Sequence, residues 1–247
     1  MKLEEFFAGN KKTAIAYSGG TDSSYLLYAA RKCGADVHPY FVKTAFQPDF
    51  ELDIAKEIAN FLNVPLTVLK ADILADKEIV SNPENRCYLC KRNMLSLILR
   101  ASLKDGCTVL ADGTNADDKF DERPGMKALL ELGIRSPLRE AGLTKERIRC
   151  LSKEAGLPTW NISSYSCLAT RVRTGGKLTA ALLEKLEAAE NKLRGAGYAD
   201  FRIRTDGSSA RLIVSRAQLE RAMTEETLLC SELEKYFDTA SLDREGR

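Results

Sequence analysis

The stretch "AIAYSGGTDSSYLLYAA", residues 14–30, runs an apolar segment into two glycines, then into polar residues and a second apolar segment. A short apolar run ended by glycines suits a strand in a buried parallel sheet, so Thr13–Tyr17 reads as a strand. Ser23–Lys32 behind it reads as a helix ended by Gly34. The turn between them has two readings. A Gly-Gly pair bends the backbone sharply and points its N–H groups inward, making an anion nest. The following helix adds unpaired first-turn N–H groups and the positive end of its dipole, and Ser18, Thr21 and Ser23 add hydroxyls. The other reading is an ordinary strand–turn–helix with a polar cap. No Gly-Lys-Ser follows and the glycine spacing differs from the dinucleotide fingerprint, which sets both of those loops aside.

Outward from this turn, strands and helices alternate. Asp36–Val42, Pro65–Leu69 and Thr108–Ala111 read as strands, joined by a short segment around Ile134. Helices are expected at Pro48–Phe61, with Leu52, Ala55, Ile58 and Ala59 on one face, and at 88–103, Gly125–Leu132 and Thr144–Ala155. The pattern predicts an α/β fold with a parallel five-stranded sheet flanked by helices on both faces. Ligands of such sheets bind at the loops that follow the strands.

The character changes near residue 170, where "RTGGKLT" resembles a linker. Beyond it a helix is expected with Leu178, Leu182, Leu186, Ala189 and Leu193 on one face. A hairpin follows, Phe201–Thr205 and Ala210–Val214 about "DGSS", then a helix at Glu225–Tyr236 and a last strand at Asp238–Leu242. Two domains are therefore expected, 1–172 and a small α+β domain at 173–247.

The 247 residues are 44% hydrophobic and 29% charged with a net charge of +2, which is ordinary globular composition. A near-neutral chain does not favour general nucleic-acid binding. No apolar run is long enough to span a membrane, and acidic residues stand where a signal peptide needs an apolar core, so a cytoplasmic protein is expected. Seven cysteines, an odd number in a long chain, do not suggest a secreted disulfide framework.

"ADGTNADDKFDERPG" places Asp112, Thr114, Asn115, Asp117 and Asp118 just past a strand end, with Arg123 beyond. Carboxylates beside a phosphate site make sense where metal ions mediate, and Asp22 beside an anion turn makes sense if it helps to hold Mg²⁺ or bonds to the loop's own backbone. Loop composition alone is the other explanation. "NRCYLCKRN" and "SSYSCLATR" supply Cys87, Cys90 and Cys167. Three thiolates suit three irons of a cubane cluster with the fourth iron open, whereas zinc wants four ligands and the single histidine, His38, lies in a strand. Alternatively Cys167 acts alone as a nucleophile, its thiolate favoured by Arg171, Arg173, Lys91 and Arg92, or the three are unrelated buried thiols. Core packing accounts for Cys33, Cys107, Cys150 and Cys230.

Ser-Gly-Gly-x-Asp-Ser after a first strand resembles the pyrophosphate loop (PP-loop) of the ATP pyrophosphatase superfamily, which includes NAD synthetase, the amidotransferase that makes GMP, and tRNA thiolation enzymes. The resemblance implies an adenine nucleotide alpha hydrolase-like fold. It also implies that ATP is cleaved between its α and β phosphates, with Ser18, Gly19, Gly20, Asp22 and Ser23 holding pyrophosphate and Asp112 and Thr114 also in the nucleotide site. "NRCYLCK" (85–91), "DGTNADD" (112–118), "RPG" (123–125), "SPL" (136–138), "CLATR" (167–171) and "RIRTDGSSARL" (202–212) together resemble the ATP-dependent sulfur transferases that mature the nickel-pincer nucleotide cofactor of lactate racemase, the LarE family.

That resemblance implies adenylation of a carboxylate of pyridinium-3,5-biscarboxylic acid mononucleotide and its conversion to a thiocarboxylate, with release of pyrophosphate and AMP. In one branch the cysteine matching Cys167 gives up its sulfur and becomes dehydroalanine. In the other, three cysteines, here Cys87, Cys90 and Cys167, hold a [4Fe-4S] cluster whose open iron carries the sulfur, and the presence of all three favours that branch. The implied cofactors are thus ATP, Mg²⁺ and a [4Fe-4S] cluster, with Cys167, Asp22 and Arg171 as the catalytic set. Arg202 and Arg204, with Arg211 on the next strand, are expected to bind substrate phosphate in the small domain, within a homo-oligomer that the family suggests is a hexamer. Leu212 and Ile213 follow Arg211 where the family often carries a glutamate. The rivals are a tRNA thiolation enzyme, an amide-forming synthetase, and a non-catalytic nucleotide-binding or metal-storage protein.

Overall fold

The computed structural model describes residues 2–119, 125–163 and 165–247. In chain order, helix α1 (Leu3–Gly9), strand β1 (Lys12–Ala16), α2 (Thr21–Lys32), β2 (Asp36–Lys43), α3 (Asp49–Phe61) and β3 (Thr67–Lys70) come first. Then follow α4 (Lys77–Val80), α5 (Arg86–Lys104), β4 (Val109–Asp112), α6 (Gly125–Glu131), α7 (Pro137–Glu140) and α8 (Lys145–Glu154). The chain ends with α9 (Ala180–Gly195), β5 (Arg202–Thr205), β6 (Ser209–Ile213), α10 (Arg216–Thr224), α11 (Glu226–Leu233) and β7 (Thr239–Leu242). These divide into two units. The first comprises Met1–Thr44, Asp49–Ala71 and Asn85–Ile162, and the second Ala45–Pro48, Asp72–Glu84 and Ser163–Arg247.

In the first unit β1 to β4 form a parallel sheet in the order β3-β2-β1-β4. Alternation along each strand feeds two cores. Ile15 and Tyr17, Val37 and Phe41, and Ala111 turn to one core, shared with Leu26 and Leu27 of α2, Ile58 of α3 and Ile148 of α8. Ala14, Tyr40, Val42 and Leu110 turn to the other, shared with Leu95 and Ile98 of α5 and Ala128 and Leu129 of α6. Each fully buried leucine contributes about 1.5–3 kcal/mol from water exclusion, so both helical layers are required.

The expected fifth strand is not formed. Among the described residues the sheet has four strands, and the segment after α6 adds one parallel bridge, Ala111 to Arg135. Two hydrogen bonds hold it, Arg135 N to Leu110 O (3.0 Å) and Asp112 N to Arg135 O (2.9 Å). Pro137 ends it, because proline has no N–H for a ladder and is favoured in the first turn of a helix, here α7.

The strand order has a functional consequence. The chain leaves β1 to one side for β2 and β3, then returns to the other side for β4, so the switch point lies beyond the C-terminal ends of β1 and β4. The glycine turn and the 112–118 stretch are the two loops there.

In the second unit β5 and β6 form the expected antiparallel hairpin, Arg204 facing Arg211, and β7 pairs parallel to β6. A bridge from Val172 to Thr205 ties the segment before α9 to this sheet. Leu186, Ala189 and Leu193 of α9 are buried as expected, but Leu183 rather than Leu182 completes that face. The helix starts at Ala180, and Thr179 caps it by accepting from Leu182 N. Among the described residues, no helix is long and apolar enough to cross a membrane.

Candidate functional site

The turn from β1 into α2 is closely packed. Gly19 has φ +74°, and a Cβ there would lie 3.0 Å from the backbone of Ala55 in α3. Glycine is thus required both by conformation and by space. Ser18 Oγ and Ser23 Oγ are 3.1 Å apart, Ser18 N donates to Ser23 Oγ (3.3 Å), and Gly20 N to Ser18 Oγ (3.4 Å). Gly20 is the N-cap of α2 and supplies no side chain to its first-turn N–H groups. Glycines, two hydroxyls and an uncapped helix start together make a fitting cradle for phosphate oxygens.

Asp22 is the carboxylate in this cradle. Its Oδ2 accepts from Lys145 Nζ at 2.6 Å and from Asn115 Nδ2 at 3.4 Å. Its Oδ1 is buried and meets no hydrogen-bond partner among the described residues. A buried carboxylate oxygen without a partner is costly unless a cation uses it, which fits a hard divalent ion such as Mg²⁺.

The stretch after β4 packs directly on α2. A Cβ on Gly113 would lie 2.9 Å from Ser23 N, so only glycine permits this approach. Asp112 is buried and saturated: Oδ1 accepts from Thr114 N (3.2 Å) and Ser136 Oγ (2.7 Å), and Oδ2 from Thr114 Oγ1 (2.6 Å) and Lys91 Nζ (3.5 Å). Asp112 and Thr114 thus shape the loop with each other. Asn115 is its outward reach, toward Asp22, and Asn115 Oδ1 accepts from Asp117 N (2.9 Å). Asp118 Oδ2 closes the turn on Asn115 N (3.1 Å). Arg123, with Pro124 of the "RPG" motif, lies outside the described residues.

Cys87 and Cys90 sit near the start of α5, Cys87 exposed and Cys90 buried. They are one helical turn apart and so share a face. Arg86 Nη2 donates to Cys87 Sγ (3.4 Å), and Arg92 Nη1 to Tyr88 Oη (3.5 Å). Among the described residues no three His, Cys, Asp or Glu side chains gather to hold a metal ion. Among the described residues no two cysteines are joined by a disulfide. Core packing explains only Cys107 of the four assigned to it: Cys33 is exposed at the C-cap of α2, Cys150 is exposed within α8, whose buried residues are Ile148 and Ser152, and Cys230 is half-buried within α11.

In the second unit Cys167 is half-buried at the N-cap of a one-turn 3₁₀ helix, Leu168–Arg171. Leu168 and Ala169 are fully buried behind it, and Leu168 N donates to Phe46 O (2.9 Å). Thr170 returns both its N–H (2.9 Å) and its hydroxyl (2.7 Å) to Cys167 O. Arg171 is wholly buried. Its Nε donates to Glu190 Oε1 (2.6 Å), its Nη1 to Ser166 Oγ (2.7 Å) and Thr170 Oγ1 (3.0 Å), and its guanidinium stacks on Tyr165 at 4.7 Å. Tyr165 Oη reaches Glu190 Oε2 (2.6 Å), and burial, with the Glu190 charge beside it, raises the phenol's pKa. Arg171 therefore builds the platform beneath the cysteine.

Arg202 and Arg204 lie on β5, and both guanidinium pKa values are depressed, first by burial. For Arg202 the next causes are Arg247, Arg171 and Arg204; for Arg204 they are Arg171 and Arg247. Arg204 Nη1 donates to Thr170 O, which links the arginine strand to the cysteine segment. Arg211, opposite Arg204, is neutralised by Asp243, which relieves a like-charged cross-strand pair. Crowded guanidiniums suit an anion such as a phosphate monoester.

Two contributors escaped sequence reasoning. Lys145 stands at the start of α8 and reaches Asp22 across 123 positions; Glu190 sits within an amphipathic helix as one acid among several. Neither carries a local signal beyond a helical pattern.

No protein-family model matches the chain. It is 32% identical over 254 aligned positions to an uncharacterized protein of Synechocystis sp., covering 99% of this chain and 92% of that one. It is 31% identical over 211 positions to pyridinium-3,5-bisthiocarboxylic acid mononucleotide synthase of Lactiplantibacillus plantarum, covering 85% of this chain and 76% of the synthase. A component of the glutamine-hydrolyzing GMP synthase of Pyrococcus furiosus is 28% identical over 187 positions, 69% of this chain and 59% of that component. At this identity and coverage the chain belongs, as a distant member, to the family of the pyridinium-3,5-bisthiocarboxylic acid mononucleotide synthase, within the PP-loop group of ATP-using enzymes that also holds the GMP synthase component.

Proposed function

We propose that the protein is an ATP-dependent sulfurtransferase that adenylates a carboxylate of a pyridinium-3,5-biscarboxylic acid mononucleotide and converts it to a thiocarboxylate, releasing pyrophosphate and AMP. The observation that carries the adenylating half is Asp22: a carboxylate within a phosphate-shaped turn, one oxygen held by Lys145 and the other buried without a partner among the described residues. The turn at Ser18–Ser23 receives the β and γ phosphates, and Asp22 is the residue to hold Mg²⁺. When bound, that ion supplies charge stabilisation on the phosphate oxygens. First-turn N–H groups of α2 and the Ser18 and Ser23 hydroxyls stabilise the departing pyrophosphate.

The sulfur step is assigned to Cys167, half-buried on a platform that fixes its backbone. Its thiolate attacks the acyl carbon and AMP leaves with the bonding pair, giving a thioester. Loss of the Cys167 Cα proton then breaks the Cβ–S bond, leaving a thiocarboxylate and dehydroalanine. The name of the L. plantarum relative supports this substrate class. A sulfide carried by a [4Fe-4S] cluster on Cys87, Cys90 and Cys167 is the competing source. Residues 173–247 are proposed to bind substrate phosphate through Arg202 and Arg204 and to assemble the homo-oligomer.

The test is anaerobic purification with iron and sulfide analysis, then reaction with the pyridinium dicarboxylate nucleotide and Mg-ATP. Stoichiometric pyrophosphate, a thiocarboxylate product and a protein lighter by H₂S at Cys167 are expected. Cys167→Ala keeps pyrophosphate release and loses the product. Repeated turnover with intact Cys167 and bound iron assigns the sulfur to the cluster, and no pyrophosphate with authentic substrate overturns the reading.

A further inference from the structure

Lys145 is the first residue of α8, directly behind its cap Thr144. It is tied at both ends. Its backbone N–H donates to Asp117 Oδ2 at 2.7 Å, and its ammonium to Asp22 Oδ2 at 2.6 Å. One residue thereby joins the loop after β4 to the first turn of α2. The Lys145 side chain is 30% exposed and that of Asp22 21%, and a pair so accessible to water adds little to stability. Stability does not account for a lysine here.

The charge arrangement does. A carboxylate at an anion-binding turn repels phosphate, and Lys145 cancels that charge as the chain stands. A lysine ammonium is a compact charge with three rotatable donors on a flexible stem, so it turns from one oxygen to another without backbone movement. Its backbone is held by Asp117, so the swing has a fixed pivot. On Asp22 the two oxygens are unequal: Oδ2 carries the lysine, while Oδ1 is buried with no partner among the described residues.

We propose that Lys145 is a polyphosphate-binding residue of the nucleotide site, which neutralises Asp22 in the arrangement seen here and donates to a β- or γ-phosphate oxygen once a divalent cation shares Asp22. This rests on the ATP-cleaving reading of the turn. It predicts selectivity by phosphate position: ligands with β and γ phosphates, or pyrophosphate itself, depend on Lys145, and AMP does not.

Isothermal titration of the full chain with Mg-pyrophosphate, Mg-ATP and AMP tests this. Lys145→Gln should weaken Mg-pyrophosphate and Mg-ATP at least tenfold and leave AMP within twofold, while Lys145→Arg should restore most of the loss. Should Lys145→Gln fail to fold, the native protein carries the test: amine acylation at Lys145, located by mass spectrometry, should slow at least fivefold under saturating Mg-pyrophosphate. Wild-type pyrophosphate affinity in Lys145→Gln, equal weakening of AMP, or unprotected acylation each overturns the role of Lys145 alone. A native protein that binds neither Mg-ATP nor Mg-pyrophosphate overturns the ATP-cleaving reading and this inference with it.

Discussion

Arg171 and Glu190 face each other as an ion pair, Nε to Oε1 at 2.6 Å, with neither side chain exposed at all. Glu190 also accepts from Tyr165 (2.6 Å) and Arg194 (3.0 Å), so its second oxygen is satisfied too. Buried charges persist only when paired and hydrogen-bonded in this way. The pair fixes the turn that begins at Cys167, because Arg171 spends its remaining donors on Ser166 and Thr170.

Breaking that pair from one side leaves an uncompensated buried charge. Arg171→Met is expected to cost about 3–5 kcal/mol of unfolding free energy. Urea denaturation measures it. The double variant Arg171→Met with Glu190→Leu should recover a large part of the loss, and two additive losses would show that the two residues are not coupled.

Gly113 tests the packing of the two switch-point loops. Gly113→Ala places a methyl 2.9 Å from Ser23 N, against backbone that cannot swing aside. A loss of about 1–3 kcal/mol is expected, with Mg-ATP affinity falling at the same time. Gly195→Ala, at the end of α9 with open space around its Cβ, is the control and should be neutral or stabilising by up to about 1 kcal/mol.

Asp22→Asn keeps the shape of the side chain and removes its charge. Pyrophosphate release with substrate and Mg-ATP should drop roughly a hundredfold or more. Its dependence on Mg²⁺ concentration should flatten, since the orphaned Oδ1 is the atom offered to the ion. Unchanged Mg²⁺ dependence would remove Asp22 from that role.

The hairpin between β5 and β6 carries an acid-sensitive contact. Asp206 Oδ1 accepts from Ser209 N (2.9 Å), Ser208 N (3.1 Å) and Ser209 Oγ (2.9 Å), and these bonds push its carboxyl down to about 2. A depressed carboxyl stabilises the fold fully above the unfolded value of about 3.9, and that contribution disappears as pH falls from there through the folded value. Between about pH 4 and 2, wild-type stability should therefore fall more steeply than that of Asp206→Ala, and parallel curves in urea titrations would refute the assignment.

Much of the scaffold was legible along the chain. The strands after Thr13, Asp36 and Thr108 and the helices between them show in alternation and in 3.6-residue spacing, since those patterns are set by neighbours one to four positions apart. The glycine turn was legible for the same reason: its residue types are forced by local backbone geometry. Tertiary structure decided what depends on distant partners. The segment around Ile134 has an apolar strand-like look, yet Pro137 limits it to one bridge. Cys33 and Cys150 resemble core thiols by their neighbours, but Cys33 is exposed at the end of α2 and Cys150 is exposed within α8.

By itself, then, the order of residues determined the parallel sheet, its switch-point turn and the positions able to carry the chemistry, because backbone conformation and side-chain alternation are short-range properties. Only the folded chain decided which charges meet. Lys145 reaches Asp22 across 123 positions and Arg171 reaches Glu190 across 19, and no local pattern specifies a pairing whose cost and gain depend on how far water is excluded from both partners.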